Sequence, residues 1–82
     1  MKNIIVYSTR TCPYCTMVKS YLKSREIDFQ DIDVGIDQQK ATEMVEKSGQ
    51  MGVPVIDING YIVVGFNKPE IDFALGRQNG KL

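Results

Sequence analysis

The 82-residue chain predicts an α/β fold in the order β-α-β-α-β-β-α, a four-stranded mixed sheet flanked by three helices. Three observations predict it. A β-branched run at the start hands over to apolar residues at helical spacing, and an alternating segment follows, which together read as a strand-helix-strand crossover. Such a crossover is right-handed and makes its two strands parallel. Farther on, Asn59-Gly60 stands between two β-branched runs, the strongest short-range hairpin signal, so an antiparallel pair completes the sheet.

The elements follow in order. Ile4-Ile5-Val6-Tyr7 is a short buried strand ending at the polar stretch Ser8-Thr9-Arg10-Thr11. After Pro13, the residues Tyr14, Val18, Tyr21 and Leu22, with Met17 beside them, recur at helical spacing to about Arg25. Residues 27–34 mostly alternate apolar with polar and read as a second strand with one wetter face. From about Ile36 to Ser48, the side chains Ala41, Met44, Val45 and Ser48 line one face of a second helix, which stops at Gly49. Pro54–Ile58 and Tyr61–Val64 form the hairpin. Asn67 then caps a third helix, Pro69 suits its first turn, Glu70 completes the capping-box spacing, and Ile71, Ala74 and Leu75 supply the buried stripe. Without a repeat, a linker or a composition break, residues 1–82 read as a single domain.

Charge and cysteine usage narrow the function. Ten basic and ten acidic residues cancel, and a neutral chain lacks the electrostatic footprint of a nucleic-acid binder. The run Ile4–Tyr7 is too short for a signal-peptide core or a membrane span, so the expected compartment is the reducing cytoplasm. Two cysteines and no histidine fall short of the roughly four ligands of a mononuclear zinc site, so no metal is expected within one chain. A bridge between residues three apart closes too small a loop to staple a fold. Residues 26–37 hold Glu26, Asp28, Asp31, Asp33 and Asp37 without a base, which reads as a solvated strand edge and helix start.

Cys12-Pro13-Tyr14-Cys15 carries the chemistry. It lies where a strand-loop ends and a helix begins, the setting in which C-x-x-C reads as a dithiol redox site. Residues three apart on a first helical turn lie within the span of a disulfide, so the pair can open and close with little backbone motion. Pro13 fits the first helical position, which puts Cys12 at the cap, its sulfur beside unpaired backbone N–H groups and the positive end of the helix dipole. That position favours thiolate over thiol, and Arg10 adds positive potential. Cys12 is thus the expected nucleophile and Cys15, one turn in, the resolving thiol.

Cys12-Pro13-Tyr14-Cys15 after a short strand, Gly52-Val53-Pro54 ahead of a hairpin, and Gly65 before the last helix together resemble a bacterial glutaredoxin over essentially the whole chain. The resemblance implies a thioredoxin-like fold and thiol-disulfide exchange on disulfide-containing protein substrates by a cytoplasmic monomer. It also implies glutathione as reductant, with no permanently bound cofactor. It further implies that Pro54 is cis and faces the cysteines, that the Val53 backbone binds substrate like an added strand, and that Tyr14 flanks the sulfur. A plain helix-face aromatic is the other reading of Tyr14.

The glutathione contacts depart from the family pattern. Thr9 stands where a lysine is frequent, leaving Arg10 to grip a carboxylate, with Thr11 beside it. The stretch Val64-Gly65-Phe66-Asn67-Lys68 replaces the frequent Gly-Gly-x-Asp-Asp, so the helix N-terminus and Lys68 can hold a carboxylate while the acid that pairs the glutamyl ammonium is missing. Gly65-Phe66 also resembles redoxins reduced by thioredoxin reductase; the other reading of Phe66 is a cover over the sheet edge. A different class of function, an iron-sulfur cluster bridged between two chains by the first cysteine and glutathione, is disfavoured by Pro13-Tyr14 between the thiols.

Overall fold

The computed structural model describes residues 4–78. Strand β1 (Ile4–Ser8) pairs in parallel with β2 (Gln30–Asp33) on one side and antiparallel with β3 (Val55–Ile58) on the other; β4 (Tyr61–Val64) completes the order β2-β1-β3-β4. Helices α1 (Pro13–Ser24), α2 (Gln38–Ser48) and α3 (Lys68–Gln78) occupy the two faces of this sheet.

Alternation along β1 assigns the faces. Ile4 and Val6 join Val18 and Leu22 of α1, Ile56 and Ile58 of β3, Val63 of β4 and Ile71, Ala74 and Leu75 of α3 in one cluster. Tyr7, with Ile5 beside it, meets Ile32, Val55 and Met44 of α2 in the other. Helices α1 and α3 thus cover one face and α2 the other, and each fully buried side chain such as Leu22 contributes about 1.5–3 kcal/mol by leaving water. Among the described residues no helix is long and apolar enough to cross a membrane.

The elements match the predicted order with shifted ends. The second strand is shorter than the expected 27–34, because its apolar phase changes midway. Ile27 and Phe29 pack on the α1/α3 cluster, whereas Ile32 and Val34 pack on the α2 cluster. A regular strand cannot serve both faces without a break in alternation, so pairing begins at Gln30. The second helix begins at Gln38 rather than Ile36, since the Asp37 side chain accepts the Lys40 N–H at 3.1 Å as its cap, and Ile36 is left exposed. That helix ends at Gly49 in the left-handed region, φ 76°. The hairpin turn takes positive φ at both Asn59 (49°) and Gly60 (96°), as a type I′ turn requires.

The register brings four loops to one end of the sheet. Ser8 closes β1 opposite Asp33, the last residue of β2, and Tyr7 lies opposite Val55, the first of β3, which in turn lies opposite Val64, the last of β4. The segments after β1, after β2, before β3 and after β4 therefore converge. Cys12, Val53, Pro54 and Gly65 all belong to them.

Candidate active site at the Cys12–Cys15 turn

Cys12 is the N-cap of α1, with extended backbone (φ −101°, ψ 107°) and Pro13 as the first helical residue. Its Sγ accepts the backbone N–H of Cys15 at 3.0 Å, while its carbonyl accepts the Thr16 N–H at 3.2 Å. The sulfur thus replaces the oxygen of an ordinary capping side chain and satisfies one of the orphan donors of the first turn. Both cysteines are free thiols. Cys12 is half-buried; Cys15 is 0 % exposed and shares the inward stripe of α1 with Val18 and Leu22. Burial, reinforced by the hydrogen bond with Cys12, pushes the Cys15 thiol up to about 12, against opposing pulls from the Thr9 backbone and the Lys19 charge. One thiol is therefore presented to solvent at a helix terminus, and the other is held protonated behind it.

The Val53–Pro54 peptide bond is cis. Pro54 is buried and its carbonyl accepts the Gly65 N–H at 2.8 Å, which ties the segment before β3 to the segment after β4. Val53 packs half-buried against the α2 cluster. Gly65 has φ 82°, where an L side chain is strained. Tyr14, 60 % exposed, points away from the core beside Cys12, and Thr11 is exposed.

The residues expected to hold glutathione charges have partners of their own. The Arg10 side chain is 82 % exposed, and its Nε lies 3.7 Å from Asp33 Oδ2. In sequence no acid stands within ten residues of Cys12; the parallel pairing of β1 with β2 brings Asp33 to Arg10. Asn67 Oδ1 accepts the Glu70 N–H at 3.3 Å, the predicted cap of α3. The Lys68 ammonium lies 4.8 Å from the Tyr21 ring centroid. Phe66 meets the same ring edge-on at 6.1 Å and packs on the α1/α3 cluster, which matches the covering role. Tyr21 also bonds Asp72, which is paired with Arg25 at 2.8 Å.

Sequence reading missed a polar cluster under α1. The Lys19 Nζ donates to Asp31 Oδ2 at 2.9 Å and to Ser8 Oγ at 3.4 Å, and Ser8 Oγ donates to Asp31 Oδ1 at 2.9 Å. Asp31 is thus not merely part of a solvated edge. Burial pushes its carboxyl up, but the hydrogen bonds from Lys19 and Ser8 outweigh that and hold it below the ordinary range. The available signal was Lys19 one helical turn after Cys15, at i+4. An open groove of about 520 Å³ runs between α1 and β2, lined by Thr16, Lys19, Lys23, Phe29 and Asp31, and neither cysteine lines it.

Residues 4–63 match the glutaredoxin family model. The chain is 56% identical over 69 residues to an uncharacterized glutaredoxin-like 8.6 kDa protein in the rubredoxin operon of Clostridium pasteurianum, covering 84% of this chain and 92% of that one. It is 35% identical over 65 residues to glutaredoxin 3 of Escherichia coli, covering 79% and 78%. Among solved structures, a mutant of a thioredoxin-like protein superposes with TM-score 0.85 at 29% identity over 93% of this chain and 97% of that one, so the fold is thioredoxin-like.

Proposed function

Because the chain belongs to the glutaredoxin family of thiol-disulfide oxidoreductases, we propose that it works by a dithiol mechanism in which Cys12 attacks and Cys15 resolves. The observation that carries this reading is the asymmetry of the pair: Cys12 is accessible at the N-terminus of α1, and Cys15 is fully buried behind it. Negative charge on the Cys12 sulfur meets the Cys15 N–H and the positive end of the helix. Cys12 attacks a substrate disulfide, giving a mixed disulfide and a released thiol. Cys15 then attacks the Cys12 sulfur, closing the Cys12–Cys15 bond and releasing the second substrate thiol.

Glutathione is the proposed reductant, held weakly. Arg10, Lys68 and the N-terminus of α3 offer positive charge for its two carboxylates, and Val53 the backbone contact. A second reading, reduction by thioredoxin reductase, is favoured by the same side chains being engaged at home: Arg10 with Asp33, Lys68 on Tyr21, Asn67 with Glu70.

NADPH oxidation coupled through glutathione and its reductase, set against coupling through thioredoxin reductase, tests both. The expected result is weak, salt-sensitive turnover with glutathione. Cys12→Ser abolishes it, and Cys15→Ser retains it on glutathione mixed disulfides while losing reduction of protein disulfides. Equal losses in the two variants on a glutathionylated substrate overturn the assigned roles; rapid turnover with thioredoxin reductase alone selects the second reading.

A further inference from the structure

The resolving step poses a problem that the cysteine pair does not solve by itself. Cys15 is fully buried, so negative charge that develops on its sulfur as it attacks lacks water to stabilise it. A cation follows it on α1. Lys19 follows Cys15 by one helical turn, its side chain is only 24 % exposed, and it is tied at both ends of its reach: to Asp31 of β2 at 2.9 Å and to the Ser8 hydroxyl at 3.4 Å. Ser8 is 2 % exposed and closes β1 immediately before Thr9, whose backbone hydrogen-bonds Cys15. The thiol and the ammonium thus meet the same end of β1.

From this geometry we infer that Lys19, positioned by Asp31 and Ser8, supplies the charge that stabilises Cys15 as it resolves the mixed disulfide. The inference rests on the dithiol reading above. In the step, the Cys15 Sγ–H bond breaks and its proton passes to solvent. Cys15 Sγ then bonds Cys12 Sγ, the bond from Cys12 Sγ to the substrate sulfur breaks, and the departing thiolate takes a proton from solvent. The two protein thiols are oxidised and the substrate disulfide is reduced, with no net proton change. Lys19 exchanges no proton in this step; it acts as a fixed charge.

From α1 come Cys12, which opposes ionisation of Cys15, and Lys19, which favours it; from the loop after β1 comes the Thr9 backbone, which also favours it. Asp31 is hydrogen-bonded to Lys19, and Lys23 adds its charge to Asp31. Fixing an ammonium between a carboxylate and a buried hydroxyl removes its rotamer freedom beforehand, so the stabilisation is present when the sulfur needs it.

The test separates the two sulfur steps in a single turnover. Reduced protein is mixed with stoichiometric dithiodipyridine, an uncharged disulfide whose released thiopyridone is followed by absorbance. A first release reports attack by Cys12 and a second reports resolution by Cys15. In Lys19→Gln the first phase is expected to match the parent protein. The second is expected to slow about tenfold at neutral pH, with its rising limb displaced to higher pH. Lys19→Arg, which keeps the charge, should restore most of the rate, and Asp31→Asn, which frees the ammonium, should slow the same phase less. A second phase unchanged in Lys19→Gln, or both phases slowed alike, overturns the inference. A second release that persists in Cys15→Ser overturns instead the dithiol reading beneath it.

Discussion

Tyr7 and Ser8 are neighbours on β1, point to opposite faces of the sheet, and meet the same kind of partner. Below α2, Lys47 Nζ donates to the Tyr7 hydroxyl and to Asp57 Oδ2 of β3, each at 2.7 Å; below α1, Lys19 Nζ donates to the Ser8 hydroxyl and to Asp31 of β2. Each cluster is a helix lysine held by a strand aspartate and a hydroxyl from β1. They differ in depth and in what lies beside them. Asp57 is 8 % exposed and also accepts the Gly60 N–H at 2.7 Å, so its cluster pins α2 to the hairpin. Burial works against the Lys47 charge, but its bonds to Asp57 and Tyr7 outweigh that and raise its pKa. The Asp31 side chain is 46 % exposed, and its lysine follows Cys15 by one turn of α1. The comparison teaches that one pattern of contacts serves stability where its aspartate is buried and chemistry where its lysine follows a cysteine on the helix.

The largest effect expected at neutral pH breaks the cluster around the buried Asp57. Asp57→Ala strands the Lys47 ammonium and the Gly60 N–H, and should cost about 2 kcal/mol in a denaturant titration, below the usual cost of breaking a fully buried pair because Lys47 retains some water. It should leave both phases of thiol release in place. Lys19→Gln sharpens the contrast from the other side. Its pair with Asp31 is partly exposed, so the same titration should register less than about 1 kcal/mol, while the resolving phase slows.

The last effect is absent at neutral pH and appears only as a slope in the alkaline range. Cys15 ionises near 9.0 in an ordinary setting and is pushed up to about 12 in the fold, so between these values the unfolded chain has released a proton that the folded chain retains. The share of stability that Cys15 contributes by keeping its proton is therefore fully present below pH 9 and should decline as pH climbs from there towards 12. Cys15→Ser should remove that share of the decline, as read from denaturant midpoints across the alkaline range.

Much of this was legible in the residues. The order of elements, the cap at Asn67, the hairpin at Asn59-Gly60 and the asymmetry of Cys12 and Cys15 are local signals, set within a turn or two of chain, and the structure carries each of them. The second strand misled because Ile27 and Phe29 face one cluster and Ile32 and Val34 the other, so a single alternation was read across two different loyalties. The clusters around Lys19 and Lys47 were not legible. Each joins three or more segments, and which acid meets which lysine follows from strand register, a property of pairing rather than of any segment alone. The same reason hid Asp33 from the reading of Arg10. The departures at Thr9 and at Val64-Gly65-Phe66-Asn67-Lys68 were visible as residues. What the structure adds is that Phe66, Asn67 and Lys68 already have contacts within the chain.

The division of labour between an accessible sulfur at a helix cap and a sealed one behind it is open to direct measurement. Reduced protein treated at neutral pH with limiting iodoacetamide and mapped by peptide mass spectrometry should carry the adduct on Cys12, with Cys15 unmodified until the protein is unfolded. Alkylation of Cys15 in the folded protein at a rate equal to or above that of Cys12 would contradict the account.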